Sequence, residues 1–294
     1  MTKPTEGAAG ERIAARTASR TARGVALLRA AHQLLDAEPR ILDDPVIVRL
    51  IGATGEAEIE SAASRLRDPG SRALRAHVVL RSRYAEDRLS EAAARGVGQY
   101  VVLGAGLDTF AYRQPAWARA LRIVEVDQPA TQSEKRDLLA AAGVAIPGNV
   151  TLAAVDFERE SLLDALERHG VRLGDRGFFS WLGVTMYLRE SAVDEVLRTV
   201  AGYAAGTEIV FTFAQPRNED PRADGRPTLA ELAARAGEPW LSYFEPDGLE
   251  EKLRSFGFSQ VEFLTPGDAA ARYFSNRTDG LAPPRRTTIV SATR

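Results

Sequence analysis

Glycines and carboxylates follow three successive apolar runs in the middle of the chain. Gly104-Ala105-Gly106 ends YVVLGAG, Asp127 ends LRIVEVD, and Asp156 lies near the end of VTLAAVDF. Glycine allows the main chain to turn sharply and to approach a ligand closely. An acidic side chain about 20 residues beyond such glycines is suited to a ribose diol, and a second one can accept a hydrogen bond from the adenine amine. The pattern predicts a site for a nucleoside.

The residue that follows these glycines argues against a dinucleotide. The dinucleotide fingerprint requires glycine or alanine where this chain has Thr109, so a ligand without a pyrophosphate is favoured. Simpler interpretations stay open at this point. The glycines can serve only a strand-to-helix turn, Asp127 can cap the helix that begins at Gln128-Pro129, and Asp156 can be a solvated loop residue.

A fourth apolar run ends in aromatic residues, in the segment WLGVTMY (181–187). Core packing is the commoner role of such side chains. Tyr187, however, carries a hydroxyl that needs a partner when it is buried. It is therefore a candidate for the wall of a substrate cleft.

Alternating strands and helices must position these residues. Continuous apolar runs that end in glycine are typical of strands buried on both faces of a parallel sheet. Their alternation with helical segments implies right-handed crossovers and an α/β fold with a doubly wound sheet. Two late strands, separated by a long loop, are predicted to pair antiparallel and to complete seven strands. The first predicted strand begins at Gln99, and the others cover 121–127, 150–157, 177–184, 207–214, 258–265 and 286–293. Helices are predicted at 129–142, 159–169, 190–203, 228–236 and 246–256.

The first hundred residues show helical rather than strand periodicity. A helix is predicted from Ile13 to about Asp36, a turn at Asp44-Pro45 precedes a short apolar helix, and further helices are predicted near 55–67 and 71–94. This pattern predicts a helical cap or lid over residues 1–96 and a ligand-binding domain over 97–294, together forming one compact unit. Segment 215–227, rich in Pro, Arg, Asp and Gly, is predicted to be a mobile loop.

Composition excludes several kinds of chemistry and partner. With 294 residues, 45% of them apolar, the chain can bury a sizeable core, and its net charge of −2 offers no positive field for nucleic acid or an acidic membrane. The absence of cysteine excludes thiolate metal sites, and the three histidines are far apart in sequence, so no metal is predicted. No apolar run approaches the ~20 residues that cross a bilayer. The Arg- and Ala-rich beginning resembles a transit peptide, but the whole chain is rich in Arg and poor in Lys, so a cytoplasmic protein is predicted.

Several motifs, in order, resemble one family. VVLGAGLDTFAYR (101–113), IVEVDQPATQSEKR (123–136), VDFERE (155–160) and WLGVTMYL (181–188) are similar to S-adenosylmethionine-dependent methyltransferases of the leucine carboxyl methyltransferase type. The likeness is greatest to the bacterial branch of polyketide-tailoring and related O-methyltransferases. Earlier segments extend it, so that it covers roughly residues 17 to 215. The succession of LGAGLDT and EVDQP is far more distinctive than a single G-x-G.

The resemblance implies a class I methyltransferase sheet, with S-adenosylmethionine as the cofactor. It places the cofactor-contacting arginine at Arg81, whose alternative is a surface salt bridge with Glu86 or Asp87. Relatives carry an acidic residue where this chain has Leu182, and many have leucine where it has Phe157. The candidate cofactor-binding residues are Arg81, Gly104, Ala105, Gly106, Asp127, Gln128, Asp156, Phe157 and Leu182.

The predicted reaction is methyl transfer to an oxygen of a small molecule, by in-line displacement, with alignment and exclusion of water as the protein's main task. A carboxylate acceptor needs no base at pH 7. A phenol or enol needs one, and the sequence singles none out. Tyr187 and Arg23 are the candidate substrate residues, with Arg20 as a second gate residue. The sequence leaves the oligomeric state open.

Two alternatives to methyl transfer are kept. A nicotinamide-dependent oxidoreductase would require a third glycine, which is missing, and a catalytic Tyr–Lys pair, for which Lys135 and Lys252 are poorly placed. A protein that binds the donor without turnover is suggested by Leu182.

Overall fold

A computed structural model describes residues 7–155, 160–216, 229–235 and 237–294, with the backbone alone described for 7–20. The predicted adenine-side pair, Asp156 and Phe157, lies outside the described residues. Within these ranges no helix has the length and apolar character that a membrane span requires.

Four helices precede the first strand: α1 (Gly7–Leu35), α2 (Pro45–Ser61), α3 (Ala63–Leu66) and α4 (Pro69–Ala94). The start of α2 follows from its sequence, because the Asp44 side chain accepts a hydrogen bond from the Ile47 amide at 3.2 Å and Pro45 occupies the first turn. Apolar side chains of α1 and α2, among them Ala26, Ala30 and Ile47, pack with Leu139. The helical cap thereby contacts the strand-and-helix part of the chain.

The seven-stranded, mostly parallel sheet predicted from the sequence is confirmed. Its order is β3-β2-β1-β4-β5-β7-β6, and only β7 pairs antiparallel with its neighbours. Val102 on β1 lies opposite Glu125 on one side and Ser180 on the other. The order reverses between β1 and β4, which is where ligands of such sheets bind. The strands are β1 (Gln99–Leu103), β2 (Arg122–Asp127), β3 (Val150–Ala154), β4 (Gly177–Trp181), β5 (Glu208–Thr212), β6 (Gln260–Phe263) and β7 (Ile289–Thr293).

Helices cover both faces of the sheet, which is why most residues of its central strands are apolar, with Glu125, Ser180 and Glu208 among the buried exceptions. Successive residues of a strand point to opposite faces. Val101 packs in one core cluster with helices α6, α7 and α9, whereas Val102 packs in the other with α4. The remaining helices are α5 (Pro129–Ala141), α6 (Leu162–Arg168), α7 (Glu190–Ala201), α8 (Leu229–Arg235), α9 (Pro246–Ser255) and α10 (Pro266–Tyr273).

The prediction of a long loop between the last two strands is wrong, because α10 lies there. Its sequence, PGDAAARY, consists largely of small residues, and Ala269 is its one buried residue, so it carries no apolar periodicity. The signal that could have found it is its cap: the Thr265 hydroxyl accepts a hydrogen bond from the Asp268 amide at 3.1 Å. Most of the predicted mobile loop, 217–228, lies outside the described residues.

Candidate functional site

A cavity of about 530 Å³ opens at the carboxyl ends of β1, β2 and β4, at the reversal of strand order. Helices α1 and α4 and the segment 237–241 complete its walls. Its volume is within the usual range for small-molecule sites. Of the residues predicted from the sequence, it brings together Arg81, Gly104, Ala105, Gly106, Asp127, Gln128, Leu182 and Tyr187.

The glycine loop after β1 needs glycine for both conformation and space. Gly104 has φ +64° and Gly106 has φ +47°, in the left-handed region that disfavours other residues. A Cβ at Gly104 would lie 2.5 Å from Cγ2 of Val184, and one at Gly106 would lie 3.3 Å from the Cβ of Ala22. Helix α1 therefore packs close over the loop, and the backbone at these glycines forms part of the cavity wall.

Asp127 ends β2 at the cavity and holds this loop. Its Oδ2 accepts a hydrogen bond from the Gly106 amide at 2.6 Å, and its Oδ1 accepts one from the Gln128 amide at 2.7 Å. Burial raises the pKa of Asp127, and these two hydrogen bonds oppose the rise. The N-cap of α5 is Gln128, so Asp127 is not the helix cap that the sequence left as an alternative. Each carboxylate oxygen keeps a further lone pair for a ligand hydroxyl.

Arg81 projects from α4 into the cavity and, in the described part of the chain, has no hydrogen bond or ion pair. The predicted alternative, a surface salt bridge, is wrong: Glu86 pairs with Arg113, and Asp87 pairs with Arg83 at 2.9 Å. Burial, with a contribution from nearby Arg29, lowers the pKa of Arg81 to about 10. A half-buried guanidinium that faces a cavity without a counterion is suited to the carboxylate of a ligand.

Glycine at position 183 makes room for that guanidinium. Gly183 follows β4 with φ +79°, and a Cβ there would lie 2.5 Å from Nη1 of Arg81. Its amide donates to the Thr212 hydroxyl at 2.7 Å, which fixes the turn. The apolar side chain of Leu182 lines the cavity and also packs against the core cluster beside α4.

A buried charge network missed by sequence reasoning joins the cap to the glycine loop. Arg29 of α1 donates to Asp44 at 2.6 Å and to Asp108 at 3.2 Å, and the Thr109 hydroxyl lies 2.7 Å from Asp44 Oδ2. Burial alone would raise the pKa of Asp108, but Arg29, Lys135 and Arg113 together lower it. Asp108 and Thr109 belong to the LGAGLDT motif, which was the one available signal. Thr109, which departs from the dinucleotide fingerprint, thus anchors the glycine loop to Asp44 and Arg29.

The lysines of the described chain near this region are committed elsewhere. Lys135 is fully buried and pairs with Glu125 at 2.7 Å, and the Tyr112 hydroxyl donates to the same carboxylate at 2.6 Å. Burial raises the pKa of Glu125 despite these partners. Lys252 pairs with Asp194 at 2.8 Å. Neither lysine lines the cavity, as the catalytic pair of an oxidoreductase would require.

The histidines lie outside the cavity lining. Nδ1 of His32 lies 2.8 Å from Asp36, and its Nε2 accepts from the Ile41 amide at 3.1 Å. Burial lowers the pKa of His77 to about 3, with Arg81 contributing. Among the described residues, no three His, Asp or Glu side chains form a group that could hold a metal ion.

Of the two candidate substrate residues, one lines the cavity and the other does not. Tyr187 lines the cavity half-buried. Arg23 is exposed, pairs with Glu58 at 2.9 Å and is outside the cavity lining, so the structure does not bring it to the site. The Arg20 side chain lies outside the described residues. On this wall, sequence reasoning missed Thr21 and Glu238, which are hydrogen-bonded to each other.

Comparison with known proteins agrees with this architecture. The family model for leucine carboxyl methyltransferase matches residues 22–201. The "Putative S-adenosyl-L-methionine-dependent methyltransferase YktD" of Bacillus subtilis is 35% identical over 69% of this chain and 67% of its own length. A protein of the same description from Mycobacterium marinum is 31% identical over 73% and 70%. A solved structure from Thermobifida fusca, titled a "putative methyltransferase", shares the fold with TM-score 0.54 and 18% identity, covering 91% of this chain and 94% of that one.

The sheet order and the site at its reversal define a class I methyltransferase. More narrowly, the chain belongs to the leucine carboxyl methyltransferase family of S-adenosylmethionine-dependent methyltransferases.

Proposed function

We propose that this protein transfers a methyl group from S-adenosylmethionine to an oxygen atom of a small-molecule acceptor of polyketide type. The observation that carries the proposal is the combination, in one cavity, of a glycine loop, an aspartate at the next strand end and an unpaired arginine. A donor made of adenosine and methionine needs partners for a ribose diol and a carboxylate, but none for phosphate. The residues present fit those needs.

Each described residue has a role in this proposal. Asp127 accepts hydrogen bonds from the ribose hydroxyls, and Arg81 binds the carboxylate of the methionine part. The backbone of Gly104, Ala105 and Gly106 allows close approach, Gln128 borders the ribose, and the backbone at Leu182 lines the site. Asp156 and Phe157 are proposed for the adenine side. The donor supplies an activated methyl group, so the protein's contribution is alignment and exclusion of water.

The cellular location and the partners proposed for this protein are inferred from its amino-acid composition. We expect the protein to act in the cytoplasm on a freely diffusing acceptor. Its net charge of −2 argues against nucleic acid and an acidic membrane as partners. Helix α1, which packs over Gly106, is proposed to cover the reactants and to keep water out.

Donor labelling tests the proposal. The protein is incubated with S-adenosylmethionine carrying a deuterated methyl group and with a panel of hydroxylated and carboxylated aromatic compounds. Mass spectrometry is expected to show acceptors heavier by one labelled methyl, bound to oxygen, with an equal amount of S-adenosylhomocysteine released. Binding of S-adenosylhomocysteine without acceptor-dependent release would favour the alternative, a donor-binding protein without turnover.

A further inference from the structure

One wall of the cavity remains after the donor residues are assigned. It is formed by α1, by the segment that follows β4, by α7 and by the segment 237–241. We call it the acceptor wall and define it by Thr21, Val25, Leu188, Val196, Glu238 and Leu241. Four of these six side chains are apolar, and Leu241 is 51% exposed, so this wall reaches solvent. An acceptor seated here would contact mainly apolar groups and one carboxylate.

The described cavity lining leaves no cation for an anionic acceptor. Its two cations are Arg29 and Arg81. Arg29 is already paired with Asp44 and Asp108. Arg81 binds the donor carboxylate under the proposed function, on which this inference rests. The lining also contains Glu195, which is exposed. Among the described side chains of the lining, a carboxylate acceptor would therefore meet like charge without compensation.

Glu238 is arranged to receive a hydrogen bond from a ligand. Its Oε2 accepts from the Thr21 hydroxyl, which holds the carboxylate at the cavity, while its Oε1 has no partner among the described residues. The residue is half-buried, so it keeps a path to solvent. Tyr187 lies near the charges of both Glu238 and Arg81. Burial raises the pKa of Tyr187, Glu238 adds to the rise, and Arg81 opposes it. The Glu238 carboxylate thus lines the same cavity as Arg81.

We propose that Glu238 is a catalytic residue that binds the hydroxyl of an apolar alcohol, phenol or enol acceptor and takes its proton. A bond forms between the acceptor oxygen and the methyl carbon as the bond from that carbon to the donor sulfur breaks. The electron pair of the broken bond stays on sulfur. The acceptor's proton passes to Oε1 of Glu238 and from there to solvent. The acceptor is therefore a hydroxyl compound and not a carboxylic acid.

The test uses acceptors matched in shape and different in the reacting group. β-Naphthol is compared with β-naphthoic acid, and cinnamyl alcohol with cinnamic acid, on the full-length protein and on Glu238→Gln. The control is Glu190→Gln, which removes an exposed carboxylate of α7 that pairs with Lys252 and lies outside the cavity lining. S-Adenosylhomocysteine affinity is measured for each variant, because it reports on the donor site alone.

We expect methylation of the hydroxyl member of a pair and little of the acid. Glu238→Gln should lower kcat for the hydroxyl acceptor by about 10²- to 10⁴-fold, the usual contribution of a general base. Its S-adenosylhomocysteine affinity should not change, and the control should match the wild type. Faster methylation of the acids than of the hydroxyl compounds, or an unchanged rate in Glu238→Gln, would overturn this inference. Failure to bind S-adenosylhomocysteine, or binding without turnover of any pair, would instead overturn the proposed function on which it rests.

Discussion

Arg81 differs from the other cations around the cavity because, in the described chain, it has no carboxylate partner. Arg29 of the cavity lining is held in a buried ion pair with Asp44, and Arg113, outside the lining, is held in a half-buried pair with Glu86. Burial without a partner costs free energy, and it lowers the pKa of Arg81 to about 10. A ligand carboxylate would remove that cost, which is why we propose that Arg81 binds the amino-acid part of the donor.

Replacing Arg81 by methionine tests this role. The change keeps an unbranched side chain and removes the charge, so S-adenosylhomocysteine binding should weaken by about 10- to 150-fold, or ~1.5–3 kcal/mol. Methylthioadenosine, which has the nucleoside but no carboxylate, serves as the control ligand, and its affinity should change little. Both affinities are measured by calorimetric titration. Equal losses for the two ligands would show that Arg81 acts on the nucleoside or on the fold rather than on the carboxylate.

Sequence alone found some of the site residues and missed others for a physical reason. Gly104 and Asp127 follow apolar runs directly, so the strand pattern itself predicts where they lie. Arg29 and Glu238 sit in helical or irregular segments, and their partners, Asp44 and Thr21, are 15 and 217 residues away. Nothing in local spacing indicates such contacts. The nearest clue was that Asp108 and Thr109 continue the glycine motif.

At the scale of elements, the site depends on how α1 and α2 are attached to the loop after β1. The Thr109 hydroxyl lies within 2.8 Å of both Asp44 oxygens, and it accepts from Arg29 at 2.9 Å. Asp44 also caps α2, so one carboxylate serves the helix start and the loop anchor together. Because Thr109 and Asp44 are fully buried, water cannot replace these contacts.

Thr109→Val should therefore weaken the attachment of α1 and α2 to the loop after β1. The substitution keeps the shape and leaves the buried Asp44 carboxylate short of a hydrogen-bond donor, which should lower the free energy of unfolding by about 1–3 kcal/mol. Urea denaturation followed by circular dichroism measures the loss. Thr109→Ser retains the hydroxyl and should keep most of the stability. If the valine variant were as stable as the serine variant, the hydroxyl would not be the anchor.

The strands were easier to predict than the helices, and the reason is burial. β1, β4 and β5 are buried along their whole length, so every position is constrained and most positions are apolar. Helix α10 buries a single alanine, so its sequence shows no apolar periodicity that would predict a helix. The limit of β4 was predicted too far toward the carboxyl end, because its apolar run continues into Leu182, Gly183 and Val184, which line the cavity.

At the scale of the whole molecule, the sheet order places the ends of β1 and β4 side by side and leaves a cavity between them. The family resemblance predicted from ordered motifs is confirmed by the match over residues 22–201. The helical cap and the strand-and-helix part contribute to the same cavity, through Ala22 and Arg81 on one side and Gly104 and Asp127 on the other. A substitution in either part of the chain can therefore change the shape of this cavity.

The most direct test of this account is a calorimetric titration of the protein and of Asp127→Ala with S-adenosylhomocysteine. The wild type should bind the ligand, and the variant should bind it about 10- to 150-fold more weakly, because hydrogen bonds to a charged group contribute ~1.5–3 kcal/mol. A thermal melt of the variant without ligand checks that the fold is intact. Equal affinity in the two proteins, or no binding by the wild type, would contradict the assignment of this cavity to the donor.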